Sequence, residues 1–593
     1  MLPPLVLVFL SLALSQVSAS IWPAPKKLST GKDVLFITQT LEITYNGGSH
    51  TENLFNMQLP YTYGYSPASG SAFSSKDIVQ GGVSRAMAAI FQQNFVPWKF
   101  HPKNSQFEPD LNAEGKKAVK SLQITQTGED KPNTFKPLAG EVDESYSLNI
   151  TEDGAATLSA KSSTGVLRGL ETFAQLFYQH TSGTSWYTTL APIAIEDEPL
   201  YSHRGILIDV ARNWFPVQDV LRVIDAMSWN KLNRIHIHIT DSQSWPLDIP
   251  AMPDLSAKGA YQKGLSYTPE DLAKIQEYAV HRGIEPIIEI DMPGHTGSVA
   301  FAYPELIVAY NEKPYQWWCQ EPPCGAFKMN DSRVDDFLDK LFDDFLPRVN
   351  PYTAYFHTGG DELNKNDSML DSGVKSNSTE VLQPLLQKFM DKNHARIRKH
   401  GLVPFVWEEI RLDWNITLGD DVVIQSWLGD GAVKNLTRQG HKVIDSNYNF
   451  WYLDCGRGHW MNFDNGASFE QFFPFNDWCS PAKGWRLVYS HDPRANLTEE
   501  EAKLVLGGEV AAWSESIDPV SIDGILWPRA SAAGEVLWSG RQDASGQNRS
   551  QYDAAPRLAE FRERMVARGV RSEPVQMPFC TQGDAGECGY TIA

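Results

Sequence analysis

From Gly205 onward the chain repeats one pattern, a short apolar run followed by a stretch with apolar positions three and four apart. The runs are Gly205–Val210, Arg234–Thr240, Ile284–Ile290, Ala354–His357, Val403–Trp407, Val422–Trp427, Lys442–Asn447 and Leu506–Ala512. Bounded apolar runs of this length read as buried strands. Helical spacing follows several of them, at Val217–Trp229, Pro269–Arg282, Val334–Phe345, Val381–Lys399 and Ala432–Arg438. About eight such strands with intervening helices, over roughly 340 residues, predict a (β/α)8 TIM barrel with loop insertions. A doubly wound open sheet is the competing arrangement. No Gly-rich phosphate fingerprint follows these strands, which weighs against its nucleotide-binding form.

Ahead of the barrel pattern, Ile21 to about Glu196 is mixed. Ser145–Ser163 alternates on both sides of Asp153-Gly154, as a hairpin does. The next segment sets Leu167, Leu170, Phe173, Leu176 and Phe177 on one helical face. Sheet plus helix predicts a small α+β domain. The polar, proline-marked stretch Ala194–Gly205 marks the change of character. The expected organisation is an N-terminal α+β domain over residues 20–197 and a catalytic barrel with a C-terminal extension over 198–593. Residues 1–19 are apolar and end in Val17-Ser18-Ala19, small residues that suit cleavage of a secretion signal. No later stretch reaches the roughly 18 apolar residues of a membrane helix. A secreted, extracellular protein without a membrane partner is the expectation.

Composition changes this picture little. Hydrophobic residues make up 42% and charged residues 21%, ordinary for a globular chain. A formal net charge of −20 argues against non-specific nucleic-acid binding. Sequons at Asn149, Asn330, Asn366, Asn377, Asn415, Asn435, Asn496 and Asn548 suit glycosylated surface loops. The cysteines fall into couples, Cys319 with Cys324, Cys455 with Cys479 and Cys580 with Cys588. In an oxidising compartment this local spacing favours three loop staples. None has CxxC spacing, so no metal site is expected, nor any cofactor.

Reactive groups of a TIM barrel lie just past the C-terminal ends of its strands. There the chain places Asp209 and Arg212, Asp241, Asp291 and His295, Asp361 and Glu362, Trp407, Trp427, Tyr452 and Asp454, and Trp513 and Glu515. Indole faces pack on pyranose rings, while Arg and carboxylates bond hydroxyls, so the set suits a sugar pocket. His236 and His238 alternate along one strand and read as structural residues rather than metal ligands. Most glycosidases stand two carboxylates on opposite sides of the scissile bond. Asp361 and Glu362 are adjacent, behind Gly359-Gly360, and cannot easily do so. The spacing fits instead a nucleophile supplied by the substrate, with Glu362 as acid and Asp361 touching that nucleophile. Two close negative charges also raise the pKa of one of the pair.

The stretches "LIDVARNWFPV", "HITDSQSWP", "EIDMPGHTGS", "HTGGDELN" and "LWPRASAAGEVLWS" resemble, in order and spacing, the family 20 glycoside hydrolases. The resemblance spans about Ser202 to Gly540, and the secreted fungal β-N-acetylhexosaminidases are the most similar form. It implies Glu362 as general acid, then base, and Asp361 as the group that orients the 2-acetamido substituent, whose oxygen forms an oxazolinium intermediate. Tyr452 matches the tyrosine on that oxygen, with Tyr448 in the same loop as its alternative. Trp407, Trp427 and Trp513 match the tryptophans around the sugar and its acetamido group. Arg212, Asp454 and Glu515 match residues holding hydroxyls, and Asp241 and His295 match groups behind the acid. The implied substrates are N-acetylglucosamine-containing oligosaccharides, and the implied assembly is a homodimer. Fungal relatives also remove part of the N-terminal region as a retained propeptide. A lectin on an inactive barrel would need the aromatics but not the acids. A family 18-type chitinase would carry spaced acids, and a zinc hydrolase HExxH; both motifs are missing.

Overall fold

A computed structural model describes residues 20–46, 48–49, 73–462, 477–583 and 587–589. The expected signal segment, 1–19, lies outside the described residues. Eight parallel strands close into a barrel. They are β1 (His203–Asp209), β2 (Arg234–Thr240), β3 (Glu285–Ile290), β4 (Tyr355–His357), β5 (Val403–Trp407), β6 (Val423–Ser426), β7 (Lys442–Asp445) and β8 (Val505–Ala512). β8 pairs with β1, from His203↔Gly507 to Ile208↔Ala512, and completes the ring. The open-sheet alternative is thereby excluded. Among the described residues no helix is long and apolar enough to cross a membrane.

Alternation along the strands sorts their side chains. Ile235, Ile237 and Ile239 of β2 face outward into the apolar layer shared with the helices, where Leu221, Ile224 and Leu272 also lie. The interior is stacked in tiers of different chemistry. An apolar tier at the base holds Ile287, Tyr355, Phe405, Val423 and Ile444. An aromatic tier at the opposite, C-terminal end holds Trp407, Trp427, Tyr452 and Trp513. Charged residues between them include His236, His238, Glu289 and Glu509, all buried.

The N-terminal region is a mixed sheet in which Trp186–Asp197 pairs antiparallel with both Lys27–Ile37 and Tyr146–Ile150. The expected hairpin is present as Tyr146–Ile150 against Ala155–Ala160, turning at Gly154. The following helix covers Ser163–Gln175, and Ser162 caps it by accepting from Gly165 N. Leu176 and Phe177 lie just past its end but are buried with Leu170 and Phe173 in the same core. Buried ion pairs tie this sheet to the barrel: Lys231 to Asp197 at 2.8 Å, and Arg204 to Glu144 at 2.6 Å. Breaking such a pair leaves an uncompensated buried charge, so loss of either partner alone is strongly destabilising. All three cysteine couples form disulfides.

Candidate active site

A pocket of about 390 Å³ opens at the C-terminal end of the barrel, lined by Arg212, Asp361, Glu362, Asp454 and Glu515 with Trp427, Tyr452 and Trp513. Backbone geometry puts both adjacent acids there. After β4 the chain takes positive φ at Gly359 (64°) and Gly360 (103°), and again at Glu362 (54°). A Cβ at position 359 would stand 1.8 Å from Asp291 Oδ1, and one at 360 would stand 2.5 Å from Ile410 Cγ1. Only glycine fits either place. The left-handed turn at Glu362 then brings its side chain to the same wall as Asp361. The two differ in depth: the side chain of Asp361 is 12% exposed and that of Glu362 is 26% exposed. Glu362 therefore reaches further toward the mouth.

His295 serves both acids. Its Nε2 lies 3.4 Å from Glu362 Oε2 and 3.8 Å from Asp361 Oδ2, while Nδ1 lies 3.2 Å from Asp241 Oδ1. Burial opposes the imidazolium, but Asp241 and Asp361 hold it charged, well above the ordinary histidine range. Asp241 is itself held low despite burial by Arg212 and His295. It is buried behind the pocket rather than in its lining.

Asp361 is pushed upward, first by burial, with the charge of Glu362 adding to the effect. Two buried oxygens, Asp361 Oδ1 and Asp291 Oδ2, lack any ordinary donor. Asp291 stands well above the carboxylate range through burial and the nearby Asp361 charge. The pair is reconciled if Asp291 keeps a proton and donates it to an anionic Asp361, since two carboxylates this close cannot both ionise cheaply. Asp291 Oδ1 also accepts from Gly360 N at 2.8 Å, which locks its orientation.

The aromatic walls form a cage. Trp427 and Tyr452 are parallel, 5.9 Å apart, and Tyr452 lies 6.3 Å from Trp513. Trp407 sits beneath, 6.0 Å from Trp513, and donates Nε1–H to Glu289 Oε1 at 2.8 Å. It forms the base behind the pocket lining rather than part of it. Tyr452 is buried in the lining, whereas Tyr448 packs at the edge of this cluster and outside the lining. The closed end is polar. Arg212 donates from Nε and Nη2 to Glu321 Oε1 at 2.9 and 2.5 Å, and stacks on Trp513 at 5.2 Å. Burial pushes Asp454 up to about 7 and Glu515 well above its usual range.

Two residues here, Glu321 and Glu409, escaped the sequence reading of the site. Asp291 was visible at a strand end, but its partnership with Asp361 is a distance across two strands. Glu321 lies in the loop closed by Cys319–Cys324, and nothing local signals that this loop folds over Arg212. Glu409 accepts from Trp427 Nε1 at 3.0 Å and fixes the indole plane. His236 and His238 bond to acids inside the barrel.

A more exposed carboxylate and a deeper one share one wall, an aromatic cage stands beside them, and Arg212, Asp454 and Glu515 make the other end polar. Fold and site together define a glycoside hydrolase. A profile described as "Glycosyl hydrolase family 20, catalytic domain" matches residues 201–541, and one described as "beta-acetyl hexosaminidase like" matches 21–176. The chain is 37% identical to a β-hexosaminidase of Arthroderma benhamiae, over 96% of this chain and 97% of that protein. It is 34% identical to a chitooligosaccharidolytic β-N-acetylglucosaminidase of Ostrinia furnacalis, over 77% of each. The chitobiase structure from Flavobacterium johnsoniae shares the fold, with a TM-score of 0.69 at 24% identity, covering 93% of this chain and 73% of that one. The chain belongs to glycosyl hydrolase family 20 and is an enzyme of its β-N-acetylhexosaminidase class.

Proposed function

We propose that the protein is a secreted, retaining exo-β-N-acetylhexosaminidase that removes terminal non-reducing N-acetyl-β-hexosamine from chitooligosaccharides and glycoconjugates. The observation that carries the mechanism is the placement of Asp361 and Glu362 on one wall at different depths. With the acids side by side, the nucleophile comes from the substrate. The 2-acetamido oxygen attacks C1 as the glycosidic bond breaks, and Glu362 gives its proton to the departing oxygen. Asp361 accepts the acetamido N–H and stabilises the positive charge of the oxazolinium ring. The Tyr452 hydroxyl donates to the acetamido oxygen, and the cage of Trp427 and Trp513 keeps that group folded under C1. Glu362 then removes a proton from water, which opens the ring at C1 and restores the original anomer. Arg212, Asp454 and Glu515 close the far end around the terminal hydroxyls, which supports exo action.

Hydrolysis of aryl N-acetyl-β-glucosaminide, its galactosamine epimer and chitobiose, with the product anomer read by NMR, tests this reading. The β anomer is expected first, and tight inhibition by an N-acetylglucosamine thiazoline is expected with it. An α product, or indifference to the thiazoline, overturns it. The chitooligosaccharide-cleaving relative supports the substrate class. The apolar first segment and the disulfides support secretion. A homodimer rests on the family resemblance alone.

Seven of the eight sequon asparagines are exposed, and Asn366 is half-buried. Its Nδ2 donates to Trp317 O at 3.0 Å and its Oδ1 accepts from Asn377 Nδ2 at 2.9 Å. A glycan on Asn366 would have to grow from a half-buried amide already bonded to Trp317 O, whereas Asn377 is exposed. Peptide mapping of the secreted protein should find glycan at Asn377 and a bare Asn366. A glycan on Asn366 would require the loop behind the acids to rearrange.

A further inference from the structure

A column of alternating acids and bases runs through the barrel interior up to the acid. Glu509 on β8 meets His203 Nε2 at 2.6 Å and His236 Nδ1 at 3.0 Å. His236 Nε2 faces Glu289 Oε2 at 3.0 Å, and the same oxygen meets His238 Nδ1 at 2.7 Å. His238 Nε2 faces Asp241 Oδ2 at 2.7 Å. Asp241 Oδ1 faces His295 Nδ1, and His295 Nε2 faces Glu362.

His238 is the hinge of this column because both of its ring nitrogens hydrogen-bond to a carboxylate, whereas His236 does so through Nδ1 alone and its Nε2 finds no partner of bonding geometry. A neutral imidazole has one N–H and one lone pair, so it could satisfy only one of them. Both nitrogens donate if the ring is an imidazolium. The groups facing it are Glu289 from β3, Asp241 past β2, Arg212 past β1 with Nη1 3.3 Å from Nε2, and the edge of Trp513 at 4.9 Å. Arg212 Nη2 and His238 Nε2 converge on the same Asp241 oxygen, at 3.0 and 2.7 Å. That leaves Oδ1 for His295. Around His295 stand Asp241, Asp361, Glu362 and Asp291, with Arg212 Nη2 3.3 Å from Nδ1.

We propose that His238 is a positioning residue for Glu362: as a doubly bonded cation it fixes Asp241 so that His295 Nδ1–H is engaged and Nε2–H points at the acid. The proposal rests on the reading of Glu362 as general acid. Environment agrees with it, since burial disfavours the charge on His238 while Glu289 and Asp241 raise its pKa well above the ordinary value. His357 is the natural control. Its Nδ1 accepts from Gly359 N at 2.9 Å and so cannot also donate to Glu289 Oε1 3.1 Å away, and burial lowers its pKa.

The test compares pH profiles of kcat/KM on chitobiose for the parent enzyme, His238→Asn and His357→Asn. Without the His238 cation the Asp241 charge is less offset, and a negative neighbourhood holds the acid's proton to higher pH. In His238→Asn the alkaline limb should move up by about half a pH unit or more, with kcat down roughly tenfold and KM little changed. In His357→Asn the limb should stay in place, whatever the lost bond to Gly359 N does to kcat. An unshifted limb in His238→Asn, or equal shifts in both variants, overturns the proposal. Ring-15N-labelled histidine in the parent protein adds a readout that needs no variant. Two protonated ring nitrogens on His238 near neutral pH support the assignment, and a single N–H overturns it. A parent enzyme that hydrolyses no N-acetylhexosaminide would sink the functional reading instead, and the NMR result would still stand.

Discussion

Glu362→Gln is expected to lower kcat on chitobiose by about 10³-fold, within the range that loss of a general acid produces. The departing group there is a sugar hydroxyl, a poor leaving group that needs the proton. An aryl glycoside with an acidic phenol needs it far less, and its loss should be about tenfold in the bond-breaking step. Glutamine keeps the size and the contact to His295 but has no proton to give. Steady-state rates on the two substrates decide the matter. Equal losses on both would remove Glu362 from the role of acid.

Asp361→Asn should cost about 10²–10³ in kcat, on good and poor leaving groups alike, because charge stabilisation at the acetamido group is needed whatever departs. Asparagine can turn its NH2 toward the acetamido N–H, and two donors then face each other. Thiazoline affinity should fall in parallel, since that compound carries the ring whose charge Asp361 faces. The variant should fold normally: a buried carboxylate is exchanged for a neutral group of the same volume. A thiazoline that still binds at full strength to Asp361→Asn would count against acetamido assistance.

Much of the barrel was legible because turns and caps bracket its elements. The runs Arg234–Thr240 and Val403–Trp407 and the helices Val217–Trp229 and Ala432–Arg438 have the bounds that their patterns predict. The helix expected over Val334–Phe345 is longer, Ser332–Val349, and continues through Pro347. A proline should have stopped it, but burial of Leu346 and Val349 carries the last turn onward. The acids, the aromatics and Arg212 were legible as strand-end residues. What each one touches was not. Trp407 packs against Trp513 in the same aromatic cluster, and Asp291 and Glu321 acquire meaning only through neighbours distant along the chain. Periodicity reports which face is buried, and says nothing of which oxygen stands opposite which nitrogen.

Glu362 and His295 both have φ of 54°. For residues with a side chain this backbone is disfavoured by roughly 1–2 kcal/mol each. Glycine at either position would relax the backbone and remove the chemistry, so heat resistance and turnover make opposite demands on the same two residues. Attempts to engineer a hardier enzyme should therefore leave the mouth of the barrel alone and work on its outer helices. Conversely, a relative that had given up catalysis for mere sugar binding would be free to shed this strain.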